Sequence, residues 1–313
     1  MNFEWKLSLV KNQNTKTPSL KCNYPYSFNP YIEEIQCDRK EFLKSINIFP
    51  NEVMLNKYLC GRCDVLLAGW APNANKEEFL KMVLLGDLLI ILDDVYIETG
   101  KYTEDQIKNI FNSKDSSNPL SKEINDILLF FRQKKSDPFI IDLFKKELAN
   151  VFVNILRNDS SHKFTGDLDF NQYQQLRFMD FGTKNFFLAP LLLDDYNINK
   201  EFYESDLLNQ FFSIGSIPIS LLNDIYSYKK ESQCSDFKNY VKVVAHQNGY
   251  DLQLAFTKCT QLYYEYLSKF DDICNQILEK YKGNESVNHL IKTSQLMQAT
   301  ILYFHETSPR YQQ

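Results

Sequence analysis

Glycine and proline are scarce, 9 and 10 in 313 residues, and no Pro/Ser-rich linker divides the chain. Strict apolar–polar alternation over a strand length is missing as well, which speaks against a β-rich architecture. The seven cysteines, at 22, 37, 60, 63, 234, 259 and 274, are odd in number and irregular in spacing. That pattern argues against a secreted disulfide framework. Charge of one sign does not dominate. A formal net charge of -5, spread along the chain, leaves no basic footprint for nucleic acid and no basic tail for a membrane surface. The N-terminal MNFEWKLSLVKNQNTK lacks an apolar h-region and a small-residue cleavage site. The most apolar stretch, MVLLGDLLIILDDVYI, is broken by Asp87, Asp93 and Asp94 and is too short to span a bilayer. These absences together point to a soluble, cytoplasmic protein.

Apolar residues recur instead at intervals of three and four almost throughout, so the chain reads as all-α. The pattern predicts helices over 30–45, 50–69, 76–99, 103–112, 120–134, 138–157, 167–181, 201–231, 236–248, 250–282 and 284–306, with a further segment from Gly182 to about 193. Residues 158–167, NDSSHKFTGD, read as a loop by composition. Gly215 and Pro218 predict a kink within 201–231. Helix lengths follow no fixed period, which speaks against a solenoid. One domain over 1–313 is the simplest organisation, with 1–28 an N-terminal extension.

Cys60 and Cys63 form a C-G-R-C. A redox pair needs a strand before it, and the preceding NEVMLNKYL is helical in pattern. No second C-x-x-C completes a zinc site, so these read as helix-packed thiols.

Two stretches carry chemistry. In LLNDIYSYKKE, residues 221–231, Asn223, Ser227 and Glu231 repeat every four residues. Four residues of helix advance about 400° and about 6 Å, so the three side chains share one face. An amide, a hydroxyl and a carboxylate in a row are hard oxygen donors suited to Mg²⁺. One charge binds that cation weakly, and an anionic co-ligand such as a phosphate would complete the site. Lys230 stands beside Glu231, in reach of that anion. Taken alone, the stripe equally describes a solvated helix face. The second stretch is LDDVYIE, where Asp93, Asp94 and Glu98 end an apolar helix. Carboxylates there oppose the helix dipole and are costly if buried without a counter-charge. A metal cluster would neutralise them. The dipeptide itself is not specific, since Asp194–Asp195 and Asp271–Asp272 repeat it.

Together the motifs resemble those of class I terpene synthases of the microbial type. That family carries an aspartate-rich D-D-x-x-D or D-D-x-x-x-E and a downstream N-D/S-x-x-S/T-x-x-x-D/E. Here these read D-D-V-Y-I-E and N-D-I-Y-S-Y-K-K-E. The family's diphosphate-sensing arginine, about 46 residues before the Asn motif, falls on Arg177, and its C-terminal Arg-Tyr pair on Arg310–Tyr311. The resemblance implies an all-α class I terpenoid synthase bundle around a central apolar cavity. It implies three Mg²⁺ ions, with Mn²⁺ as a substitute, clamping a prenyl diphosphate. Asp93 would be the principal ligand, Asp94 and Glu98 secondary ones, and Asn223, Ser227 and Glu231 would hold the third ion. Arg177, Lys230, Arg310 and Tyr311 would grip the diphosphate. Asp180 would link Arg177 to a helix break at Phe181 or Gly182; which carbonyl there faces substrate stays open. Phe79, Phe181, Phe186, Tyr303 and Phe304 are the candidate cavity aromatics, with Phe187 nearby. His305 reads as a core or surface histidine.

The implied activity is Mg-dependent ionisation of an acyclic prenyl diphosphate, with C15 farnesyl diphosphate the expected substrate, followed by cyclisation or rearrangement to a terpene. A prenyl-chain elongating synthase would carry a second D-D-x-x-D, which the Asn-Ser-Glu form replaces. A class II cyclase would need D-x-D-D, which is absent. From another class, the chain could be a non-catalytic helical scaffold, against which the intact ligand set speaks. Homodimers are common in the family.

Overall fold

Helix starts in this chain are written in Asn, Asp, Ser and Thr. The side chains of Asn51, Asn75, Thr103, Asp169, Asn199, Ser205, Asn239, Asp251 and Asn284 each accept a backbone N–H at a first turn. Each such cap satisfies a donor that the helix cannot. The computed structural model describes residues 16–97, 102–112, 119–135, 137–161, 168–193, 196–233 and 238–311. Among them the α-helices are α1 (Gln36–Ser45), α2 (Glu52–Leu59), α3 (Cys63–Trp70), α4 (Lys76–Ile91), α5 (Glu104–Phe111), α6 (Pro119–Gln133) and α7 (Phe139–Ser161). Then follow α8 (Phe170–Asp180), α9 (Thr183–Leu188), α10 (Lys200–Tyr203), α11 (Asp206–Glu231), α12 (Tyr240–Asn248), α13 (Leu252–Lys280) and α14 (Glu285–Thr307). A π-helical segment, Leu92–Ile97, continues α4, and a 3₁₀ turn, Ala189–Leu192, follows α9. No strand occurs among the described residues.

Several expected boundaries change. The single helix expected over 50–69 is two, because Arg62 takes a left-handed φ of 53° between α2 and α3. The expected 201–231 helix divides at Ser205, whose hydroxyl caps α11. α7 runs on to Ser161, so the loop expected from 158 begins later. α11 passes through Pro218 without a break in helix. Pro218 supplies no N–H to the ladder, and nearby the Gly215 carbonyl accepts the Gln298 amide at 3.0 Å.

The core sits along α11. It packs lengthwise on α13, while α3 packs on α14, and α5 and α8 both flank α7. Phe187, Phe211, Phe212 and Phe270 are fully buried and meet ring to ring. Each such ring stabilises the fold by about 1.5–3 kcal/mol over an exposed one. A Cβ at Gly215 would lie 2.7 Å from Phe270 and 2.9 Å from Phe187, so glycine allows this close approach.

One fully buried ion cluster braces the base of α4. Arg39 on α1 donates to Asp87 through Nε and Nη2, both at 2.7 Å, and to Asp64 on α3 through Nη1 at 2.6 Å. Tyr58 adds its hydroxyl to Asp87 Oδ1 at 3.0 Å. Asp87 lies less than two helical turns before Asp93. The N-terminal segment also packs on the body: Leu20 is buried, Tyr24 donates to Asp271, and Asn29 donates to the Ala71 and Ala74 carbonyls. No helix among the described residues is long and apolar enough to cross a membrane.

Candidate active site

Four elements deliver the expected residues to one region: the π-helical end of α4, the C-terminus of α8, the second half of α11 and the segment after α14. Asp93 and Asp94 lie in the π-helical segment, Asp93 half-buried and Asp94 exposed. Glu98 lies outside the described residues.

Arg177 closes α8. Its Nη2 donates to Asp224 Oδ1 at 2.7 Å and to Asn223 Oδ1 at 3.2 Å. Nη1 stands 4.0 Å from Asp180 Oδ1, and the guanidinium lies 4.4 Å over the Phe181 ring. Burial is the largest single influence and works against the charged guanidinium, but Asp224, Tyr173, Asp180 and Glu231 together outweigh it and raise the arginine's pKa. Asp224 is itself buried and is met by three donors. Besides Arg177, the Tyr173 hydroxyl reaches Oδ2 at 2.9 Å and the Tyr240 N–H reaches it at 2.7 Å. Burial pushes this carboxyl up to about 7, with Arg177 acting in the opposite direction. The convergence of three donors favours the ionised form.

α8 ends where the sequence leaves a choice of carbonyls. Phe181 is still right-handed, and Gly182 turns left-handed at φ 72°, a conformation glycine adopts without strain. The Gly182 carbonyl is taken by the Phe186 N–H at 3.1 Å. The Phe181 carbonyl carries no backbone hydrogen bond among the described residues. The break therefore releases the Phe181 oxygen, not that of Gly182.

On α11, Asn223, Ser227 and Glu231 follow one another at one-turn spacing. Ser227 Oγ is buried with no hydrogen-bond partner among the described residues. Glu231 Oε2 accepts from Asn239 Nδ2 at 2.9 Å, and the same Asn239 amide caps the Asp224 carbonyl at 2.7 Å. An orphaned hydroxyl between an amide oxygen and a carboxylate is a donor set that fits a hard cation. No group of three His, Cys, Asp or Glu side chains among the described residues offers a rival site. Lys230 is exposed.

The C-terminal pair folds back over the site. Arg310 Nη2 stands 3.9 Å from Asp94 Oδ1, and the Tyr311 hydroxyl accepts from Asn223 Nδ2 at 3.3 Å. Arg310 and Tyr311 thus touch both motifs. Ser308 anchors this strap: its hydroxyl donates to the Gly61 carbonyl at 2.8 Å and accepts the Arg310 N–H at 3.2 Å. His305 is buried rather than a surface group. Its Nδ1 lies 2.7 Å from the Ile301 carbonyl and its Nε2 lies 3.0 Å from Asn223 Nδ2. Burial lowers its pKa to about 4.

The candidate aromatics separate by location. Phe181 and Phe186 meet edge to face beside Arg177, and Trp70 joins Phe186 at 5.0 Å. Phe304 is buried and sets its edge against Tyr311. Phe79 is fully buried on α4, and Phe187 belongs to the phenylalanine core. Tyr303 packs on Tyr26 and Phe28 of the N-terminal segment. Sequence reasoning passed over Trp70, Tyr173, Asn239 and Ser308. Asp224 alone carried a signal, as the second residue of the N-D pair. Cys60 is exposed and Cys63 buried, its thiol pushed up to about 12 by burial. A surface cleft of about 440 Å³ between α5, α7 and α9 is lined by Lys108, Glu147, Arg157 and Lys184 but by no motif carboxylate. Arg157 is already paired with Glu104, and Lys184 with Glu147.

Relatives share this arrangement's fold. The SVS_A2 protein from ancestral sequence reconstruction has a TM-score of 0.81 at 14% identity, covering 93% of this chain and 90% of its own. Hedycaryol synthase in complex with nerolidol scores 0.76 at 15% identity, covering 93% and 98%. α-Eudesmol synthase scores 0.80 at 12% identity, covering 92% and 99%. Terpene synthase 7 of Dictyostelium purpureum is 27% identical over 307 residues, 93% of this chain and 90% of the relative. Terpene synthase 11 of the same organism is 27% identical over 98% of this chain and 94% of the relative. The family described as terpene synthase family 2, C-terminal metal binding, matches residues 85–269, more than half of the chain and the span from α4 into α13. Its motifs, its fold and that match agree, and the chain belongs to terpene synthase family 2.

Proposed function

We propose that this terpene synthase ionises an acyclic prenyl diphosphate, farnesyl diphosphate, with Mg²⁺ as its cation, and converts the carbocation to a cyclic or rearranged terpene. The observation that carries the reading is the convergence of Arg177 and Arg310 on the two acidic motifs, Arg177 at Asn223 and Asp224 and Arg310 beside Asp94. Carboxylates that can hold cations and arginines that can donate to an anion are thereby brought side by side from distant parts of the chain, the combination a metal-bound diphosphate would use.

Asp93, Asp94 and Glu98 would hold cation on one side, and Asn223, Ser227 and Glu231 on the other. Bound there, the cation supplies charge neutralisation for the departing diphosphate. Arg177, Lys230, Arg310 and Tyr311 add donors to the same oxygens, strengthening as negative charge builds on the leaving group. The allylic C–O bond breaks and diphosphate leaves with the electron pair. Phe186 and Trp70, packed beyond Phe181, supply aromatic rings that would steady the carbocation, while the Phe181 face is covered by Arg177. The Phe181 carbonyl adds a fixed dipole at the helix break. The strap held by Ser308 and the Asp94 pair excludes water from that intermediate.

A C15 substrate is the expectation for a single-domain enzyme of this type. Incubating the purified chain with Mg²⁺ and C10, C15 or C20 prenyl diphosphate, with gas chromatography–mass spectrometry and a diphosphate assay, tests it. The expected result is Mg-dependent diphosphate release and a C15 hydrocarbon or alcohol. Chain elongation with isopentenyl diphosphate, or no release from any substrate, overturns it.

A further inference from the structure

The Asn223 amide is held from three sides. Its Oδ1 accepts from Arg177 at 3.2 Å, and its Nδ2 donates to His305 Nε2 at 3.0 Å and to the Tyr311 hydroxyl at 3.3 Å. A primary amide fits such a pocket in two orientations, related by a half-turn, and only one turns oxygen toward Arg177. The partners decide between them. The guanidinium can only donate, so it selects oxygen. The tyrosine hydroxyl can donate or accept and selects neither. His305 is decided one step back. The Ile301 carbonyl can only accept, so the Nδ1 beside it carries the proton. A neutral ring protonated there presents a lone pair at Nε2, and that lone pair selects the NH₂ end of Asn223. The reversed amide would set oxygen against the Nε2 lone pair and NH₂ against the guanidinium. The ring is buried and packs at a tilt against Tyr311, ring centroids 4.3 Å apart, which holds it in place.

We propose that His305 is a positioning residue that locks the Asn223 amide with its oxygen facing Arg177 and the Ser227–Glu231 donors, and so sets the cation affinity of that stripe. The inference rests on the reading of Asn223 as a metal ligand. Arg177 cannot perform this task alone. Once an anion draws the guanidinium away from Asn223 Oδ1, His305 remains the one selective partner of the amide. Partners of a ligand that orient it without touching the metal commonly contribute about 10–100-fold to affinity.

The test uses the full chain, Mn²⁺ as the probe and inorganic diphosphate as the anion, with free Mn²⁺ read by electron paramagnetic resonance. Replacement by an apolar side chain, His305→Met, should weaken Mn²⁺ binding about tenfold or more. His305→Gln, which returns an acceptor near the Nε2 position, should hold binding within about threefold of wild type. In an Asn223→Asp background both side-chain ends are oxygen and there is no orientation to select. Adding His305→Met there should change Mn²⁺ binding little. Equal weakening by His305→Met in both backgrounds would mean loose packing rather than amide selection and overturns the proposal. If Asn223→Ala loses binding while His305→Met keeps it, the ligand reading stands and the positioning role fails. If Asn223→Ala binds as wild type, the ligand reading itself fails. Thermal melts accompany each variant, and His305→Leu provides the same comparison should His305→Met not fold.

Discussion

Arg177 Nη2 lies 2.7 Å from Asp224 Oδ1, and this contact ties the end of α8 to the helix that carries the Asn-Ser-Glu stripe. The carboxylate side chain is 1% exposed and the guanidinium 18% exposed, so water screens the pair poorly. Asp224→Ala would remove the arginine's nearest counter-charge and leave only Asp180, 4.0 Å from Nη1, as a salt-bridge partner among the described residues. Breaking one partner of such a pair costs about 3–5 kcal/mol. Asp224→Asn keeps an acceptor oxygen and should cost about 1–3 kcal/mol. Urea unfolding followed by circular dichroism measures both. An Asp224→Ala protein within about 1 kcal/mol of wild type would remove Asp224 from this anchoring role.

Asp93 and Asn223 stand on opposite sides of the proposed clamp, one on the π-helical segment and one on α11. Asp93→Ala and Asn223→Ala should each abolish terpene formation and leave melting temperatures within about 4 °C of wild type. Removal of divalent cations by chelation should do the same to the unaltered protein, with recovery on adding Mg²⁺. Product analysis by gas chromatography, alongside thermal melts, decides the matter. Full activity in both variants would overturn the metal assignment.

The buried cluster below α4 yields a stability prediction separate from chemistry. Arg39 is enclosed with Asp64 and Asp87, all three side chains fully buried. Arg39→Met matches much of the arginine's length but strands the Asp87 carboxylate, while Asp64 keeps Arg62 and Gln36. The expected loss is about 3–5 kcal/mol, read from denaturant midpoints. A double variant, Arg39→Met with Asp87→Leu, should recover part of it, because it removes one stranded charge along with the base.

These residues show where the sequence could be read and where it could not. Asn223, Ser227 and Glu231 were legible because their relation is local: one helix and one-turn steps fix a shared face. Arg177 was legible only through family resemblance, since nothing within α8 signals a partner 46 residues away. Arg39 was not legible at all. Asp87 read as an interruption in an apolar run, and its partner is chosen by how α1 crosses α4. The same holds for Asn239, whose amide joins Asp224 to Glu231 across a chain reversal. The break at Arg62 is not legible from local propensity, since arginine rarely turns left-handed, and the ion pairs that hold it reach back to Glu33 and across to Asp64. The release of the Phe181 carbonyl needed coordinates too, because Phe181 and Gly182 were equally plausible until the Phe186 N–H was seen to take one of them.

Ser308 tests whether the C-terminal strap acts in substrate capture. Its hydroxyl donates to Gly61 in the α2–α3 turn and accepts the Arg310 N–H. Its backbone carbonyl accepts the Tyr311 N–H at 3.1 Å. One residue therefore fixes the start of the strap and the direction of both diphosphate-binding candidates. Ser308→Ala deletes the two hydroxyl bonds and preserves the backbone one. At about 0.5–1.5 kcal/mol per hydrogen bond, losing the two should weaken diphosphate capture by about fivefold to a hundredfold. The effect should fall on KM more than on kcat, because the chemical groups remain and only their docking loosens. Ser308→Thr keeps the hydroxyl and should stay near wild type if its added methyl fits. Steady-state kinetics with the prenyl diphosphate measures the split. An Ser308→Ala enzyme with unchanged KM and a reduced kcat would move the role of the strap from capture to the ionisation step itself.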